Sequence, residues 1–139
     1  MLKGIPKIVS PELLKILSEM GHGDEIVIAD ANFPAENYGK RVVRADGLGG
    51  IEMLKAVLAL LPLDTYAEQN FMLMETVKGD PKPTIWKDYF DVAQADENLR
   101  EGYLERFAFY ERAKQAYAII ATGEGAVYAN IIIKKGVIK

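Results

Sequence analysis

Short runs of apolar, mostly β-branched residues, separated by helix-forming sequence, restrict this chain to a layered α/β fold. Ile26-Val27-Ile28-Ala29 is the clearest run. A strand covered on both faces shows no polar alternation, and four residues are too few for a buried helix. Residues 41–45, 71–77, 117–121 and 129–133 predict further strands, the last two separated by Thr122-Gly123-Glu124-Gly125. Helices fall between them. Ser10 reads as an N-cap with Pro11 at the first helical position. Leu13, Ile16, Leu17 and Met20 then recur at helical spacing, and Gly21 is expected to stop the helix in a left-handed conformation. Gly49-Gly50 lead into a helix over 51–61 that Pro62 follows, and another begins near Thr84 after Asp80-Pro81-Lys82-Pro83. Residues 107–117 fit either state; Glu111, Arg112, Ala113, Lys114 and Gln115 favour helix. The expected fold is α/β, one layered domain over residues 1–139, its mostly parallel central sheet flanked by helices.

Composition narrows the function classes. The chain has no cysteine, which excludes disulfides and thiolate zinc sites and fits a reducing cytoplasm. With 17 basic and 20 acidic residues the net charge is −3, so neither a nucleic-acid groove nor a polybasic membrane patch is expected. Residues 1–14 lack the apolar core of a secretory signal, and the apolar runs are far shorter than a membrane span. The reading is an intracellular protein with no membrane partner.

Few residues carry chemistry. His22 is the only histidine and stands between Gly21 and Gly23, just before a buried-type strand. An imidazole with an ordinary pKa near ~6.5 both gives and takes protons at neutral pH; the position suits a plain loop histidine equally well. Asp30 ends the first strand, where ligands gather in open α/β sheets, and its carboxylate can accept two sugar hydroxyls or simply cap a turn. Asp46 has the same two readings, the turn being preferred. Tyr128 and Asn130 are two apart at the start of a predicted strand, so alternation points both to one face, with donors and acceptors suited to hydroxyls. Arg106 can hold a substrate oxygen or pair with a surface carboxylate. The aromatic residues after it read as core or interface. Gly47-Leu48-Gly49-Gly50 lacks the lysine and spacing of a nucleotide loop and reads as a tight turn.

Several stretches, taken in order, resemble one family. They are Ser10-Pro11-Glu12-Leu13-Leu14, Met20-Gly21-His22-Gly23-Asp24-Glu25, Ala29-Asp30-Ala31-Asn32-Phe33-Pro34, Arg44-Ala45-Asp46-Gly47, Arg106-Phe107-Ala108-Phe109-Tyr110-Glu111-Arg112 and Tyr128-Ala129-Asn130. As a set they look like the RbsD/FucU family of sugar mutarotases and pyranases. The Arg106–Arg112 stretch and Ile131-Ile132-Ile133-Lys134-Lys135-Gly136-Val137 look more like its L-fucose mutarotase branch than its D-ribose pyranase branch. One position departs: the fucose pattern has a histidine where this chain has Asn32, which bears on the choice of sugar. The resemblance implies an isomerase that exchanges the ring forms of a reducing monosaccharide, with His22 as proton donor and Asp30, Arg106, Tyr128, Ala129 and Asn130 binding the sugar. It also implies a ring-shaped homo-oligomer, a decamer of two stacked pentamers, with sites near subunit boundaries. A pyranase, or a sugar-binding transport accessory without catalysis, is the competing expectation.

A single histidine, no cysteine and no nucleotide fingerprint lead to the expectation that no metal or organic cofactor takes part. Sugar ring exchange, followed by NMR, should survive prolonged dialysis against a chelator. Activity lost on that treatment and restored by a divalent ion would overturn the expectation.

Overall fold

A computed structural model describes all 139 residues. The elements are α1 (Pro11–Glu19), β1 (Glu25–Ala29), α2 (Ala35–Tyr38), β2 (Val42–Ala45), α3 (Gly50–Leu60), β3 (Phe71–Met74), α4 (Ile85–Ala93), β4 (Glu101–Leu104), α5 (Arg106–Gln115), β5 (Ala118–Thr122) and β6 (Ile131–Lys134). All six strands form one sheet in the order β2-β5-β1-β6-β3-β4. β1, β2 and β5 pair in parallel, as do β3 and β4, while β6 runs antiparallel to both β1 and β3. Five strands therefore point one way and one points back, the mostly parallel sheet expected.

The four inner strands, β5, β1, β6 and β3, are buried on both faces, and period-two alternation divides their side chains between two cores. Ile26, Ile28, Ile120, Ile131 and Ile133 join residues of α1, α3 and α4 in one cluster. Val27, Ala29, Ile119, Ile132 and Met72 join Phe109 and Ala113 of α5 and Ala35 of α2 in the other. This double burial is why the strand sequences read as unbroken apolar runs. No helix is long and apolar enough to cross a membrane.

Local signals explain most element ends. Ser10 Oγ accepts the Leu13 N–H at 3.1 Å, the expected cap of α1. The expected left-handed stop at Gly21 is wrong. Met20 ends α1 in an extended conformation, its side chain buried, and the left-handed residue is Gly23 with φ 86°. Burial of Met20 turns the chain before Gly21, and the Gly21 N–H donates to Asp24 Oδ2 at 2.7 Å in the tight turn that follows. Two elements lay outside the sequence reading. α2 is a single turn without a capping side chain. β4 is an edge strand whose Gly102 and Tyr103 carry no strand pattern; pairing with β3 creates it. Conversely, β3 stops at Met74 rather than running on to 77.

Gly123 marks a close backbone approach. A Cβ there would collide with the Asp46 carbonyl oxygen, because the loop after β5 lies against the turn entering α3, with Gly123 N–H donating to Leu48 O at 2.8 Å. Next to it, Glu124 Oε1 accepts the N–H of Gly50 at the start of α3, at 3.0 Å. Gly123→Ala should cost about 1–3 kcal/mol, as overpacking against backbone does, and lower the thermal midpoint by several degrees. An unchanged melting curve would contradict this contact.

Candidate active site

Because β6 runs backwards, its first residues lie at the end of the sheet where the other five strands finish. A cavity of about 470 Å³ opens there. Asp30 reaches it just after β1, Met74 at the end of β3, Arg106 at the start of α5, and Tyr128 and Asn130 just before β6. Four side chains singled out from the sequence thus converge, the outermost pair being 100 residues apart in the chain.

Asp30 is the buried carboxylate of the cavity. Its Oδ1 accepts the Asn32 N–H at 3.0 Å and its Oδ2 the Ala129 N–H at 3.4 Å, while its own N–H donates to Asn130 Oδ1 at 2.7 Å. Burial pushes its carboxyl above the usual carboxylate value, against these hydrogen bonds, which pull it down. Arg106 is exposed and belongs to no ion pair, which leaves the substrate role open to it. Its Nε–H donates to Tyr110 Oη at 3.2 Å, one helical turn on. Ala129 itself is fully buried. Its N–H is taken by Asp30 and its C=O by Tyr89 Oη at 3.0 Å, so it contributes by placing its neighbours.

The route by which Tyr128 and Asn130 meet the cavity differs from the one expected. Both precede β6, so strand alternation does not orient them. Tyr128 is instead the one non-glycine residue with positive φ, 55°, and that turn carries its ring into the cavity. Its hydroxyl donates to Asp80 Oδ2 at 2.6 Å, which holds the phenol above its ordinary pKa. Asp80 and Tyr110 also line the cavity and were missed. Tyr110 follows Arg106 by four residues on a helix, a spacing that places both on one face and would have found it. Asp80 lies in a loop, and nothing local marks it. Asn32, the departure noted above, lines the cavity too.

His22 does not join them. It lies beyond the opposite end of β1, in a turn tied to the end of β6 by Gly23 N–H to Lys135 O at 2.8 Å. β1 alone, five residues long, separates it from Asp30 by roughly 16 Å at about 3.3 Å per residue. There His22 Nε2 donates to Asp64 Oδ1 at 2.9 Å, its side chain 46% exposed while that of Asp64 is 4% exposed. The Tyr66 ring lies 5.1 Å from the imidazole. Burial works to raise the Asp64 carboxyl, but hydrogen bonds from His22 and from the Ala67 and Tyr66 backbone carry it below the usual range. No three His, Cys, Asp or Glu side chains are grouped to hold a metal ion.

Known proteins are similar to this chain in sequence and fold. The RbsD / FucU transport protein family matches residues 3–138. The fucose mutarotase of Mus musculus is 54% identical over 97% of this chain and 94% of its own length. The crystal structure of the fucose mutarotase from Streptococcus pneumoniae, in complex with L-fucose, superposes with a TM-score of 0.95 at 50% identity, covering 99% of this chain and 100% of that one. RbsD of Bacillus subtilis, complexed with D-ribose, superposes at 0.78 with 27% identity, both chains fully covered.

The two buried carboxylates should respond to pH in opposite directions. Asp30, raised in the fold, favours folding when protonated; that contribution is complete below about pH 4 and is lost as pH rises through its folded value. Asp64, lowered in the fold, contributes above about pH 4 and loses that contribution as pH falls through its folded value. In urea unfolding between pH 3 and 7, wild type should lose ground to Asp30→Asn as pH rises and gain ground on Asp64→Asn. Parallel pH profiles for the two variants would contradict the assignment.

Proposed function

The chain belongs to the RbsD / FucU transport protein family, and from that premise we propose that it is a fucose mutarotase, an isomerase exchanging the α and β anomers of L-fucose. The observation that carries the reading is the strand-end cavity: a buried carboxylate, a guanidinium without a carboxylate partner, a phenol and a carboxamide face one space of monosaccharide size. This hydroxyl-binding frame sits in a chain about half identical to fucose mutarotases over nearly its whole length.

Mutarotation needs two proton transfers and no redox step. A base takes the proton of the anomeric hydroxyl as an acid protonates the ring oxygen, and the bond between C1 and the ring oxygen breaks. The open-chain aldehyde turns about C1–C2 and the ring recloses on its other face, returning both protons. In this proposal His22 protonates the ring oxygen. Asp30, Arg106, Tyr128 and Asn130, with Ala129 fixing the last two, hold the sugar so that this oxygen meets the imidazole.

His22 lies at the far end of β1, so the proposal requires two subunits. The His22 of one copy enters the cavity of the next, an end-to-end contact between unlike surfaces that closes into a ring. Exposed apolar residues at both ends support it: Phe107 and Val127 near the cavity, Tyr66 and Ile138 toward the His22 end. The assembly proposed is a homodecamer of two stacked pentamers, working in a reducing cytoplasm.

NMR exchange spectroscopy of L-fucose and D-ribose, with and without protein, tests the activity; acceleration of ribose alone would favour a pyranase. His22→Ala should keep the oligomer and lose on the order of 10²–10⁴-fold in exchange. An accessory protein without catalysis would be indifferent to it. Reassembled mixtures of inactive His22→Ala and Asn130→Ala subunits should regain activity at boundaries with both halves intact. A fully active monomer by light scattering would defeat the shared site.

A further inference from the structure

Tyr128 adopts a left-handed conformation that an L side chain rarely takes, and it does so inside the sugar-binding segment. Something must hold it there before any sugar arrives. Two donors on α4 do so from behind. Trp86 Nε1–H donates to the Tyr128 carbonyl at 2.8 Å, and Tyr89 Oη–H donates to the Ala129 carbonyl at 3.0 Å. They are three residues apart, hence on one face of the helix, and both are buried. Neither lines the cavity.

We propose that Trp86 and Tyr89 are positioning residues: they lock residues 128–130 into the sugar-binding shape and act on the substrate only through that segment. The other contacts of the segment complete the lock. The Ala129 N–H goes to Asp30 Oδ2, Asn130 Oδ1 takes the Asp30 N–H, and the Tyr128 hydroxyl is held by Asp80. The carbonyls of Tyr128 and Ala129, consecutive in the chain, are thus both pinned from one face of α4. The fold makes room for this device. A Cβ at Gly50 would fall on Tyr89 Oη, so α3 is bare where the phenol passes. Burial first, and the charges of Glu124 and Asp30 after it, push the Tyr89 phenol far above its ordinary value, so it remains a donor at every working pH. A segment ordered in advance spares the sugar the entropic cost of ordering it.

The inference rests on the mutarotase reading for its catalytic test but has a second readout that does not. Trp86 is the sole tryptophan, so its indole N–H gives one NMR resonance. In the sugar-free wild-type oligomer that proton should exchange slowly with solvent. Tyr89→Phe and Trp86→Phe should raise KM for L-fucose exchange roughly 10-fold, with kcat changed less. Val57→Ala, a cavity in α3 with no hydrogen bond to the segment, serves as the control and should leave KM unchanged at a comparable loss of Tm. KM shifts no larger than the control's would overturn the proposal. If neither variant folds, the wild-type indole decides: protection supports the lock, and exchange at the rate of an exposed indole refutes it. Wild type inactive on every sugar, with the indole protected, would sink the mutarotase reading and leave the lock standing.

Discussion

Antiparallel insertion of β6 between β1 and β3 is the constraint on which the site depends. Ile131 pairs with Ile28 on one side and Leu73 on the other, at the end of the sheet where those strands finish. Residues 128–130, immediately before it, are thereby delivered beside Asp30. Had β6 run with its neighbours, the same residues would emerge at the opposite end. The pairing itself is held by apolar side chains alternating between two dry cores, so the position of the site is a by-product of burial.

The same strand separates the chemistry. At its start Asn130 accepts the Asp30 N–H; at its end Lys135 is tied to the turn carrying His22 and to the segment carrying Asp64. The molecule thus has two polar ends joined by an apolar sheet. The two ends also differ electrostatically. Burial works against the charged form of Asp30 and outweighs the hydrogen bonds that favour it. Asp64 is buried with its charge satisfied and fixes the imidazole. Within one chain the imidazole and the strand-end cavity therefore stand at opposite ends of the sheet.

Much of the fold was legible because its signals are local. The cap at Ser10, the break around Gly49-Gly50 and Pro62, and the β-branched runs of β1, β5 and β6 each act within a few residues. α5 was readable only from the propensity of its polar residues, because its neighbours are aromatic. β4 was not readable: Glu101-Gly102-Tyr103-Leu104 is a strand only because β3 offers it an edge. Nor was the left-handed turn at Tyr128, which lies in a residue type that disfavours it and is held by donors on a distant helix. Tyr128 and Asn130 both line the cavity, but from the loop before β6, where strand alternation does not act.

By itself the sequence determined which residues had to be buried, where helices could start, and that a lone histidine, Asp30, Arg106 and the Tyr128–Asn130 pair were the groups with chemistry to offer. Such facts follow from composition and short-range spacing. The tertiary structure alone decided which of those groups share a cavity, that Asp80 and Tyr110 join them, and that His22 does not. The physical reason is that strand order and direction are set by hydrogen bonds and packing between residues as much as 100 positions apart, as between Asp30 and Asn130, and no local period encodes them.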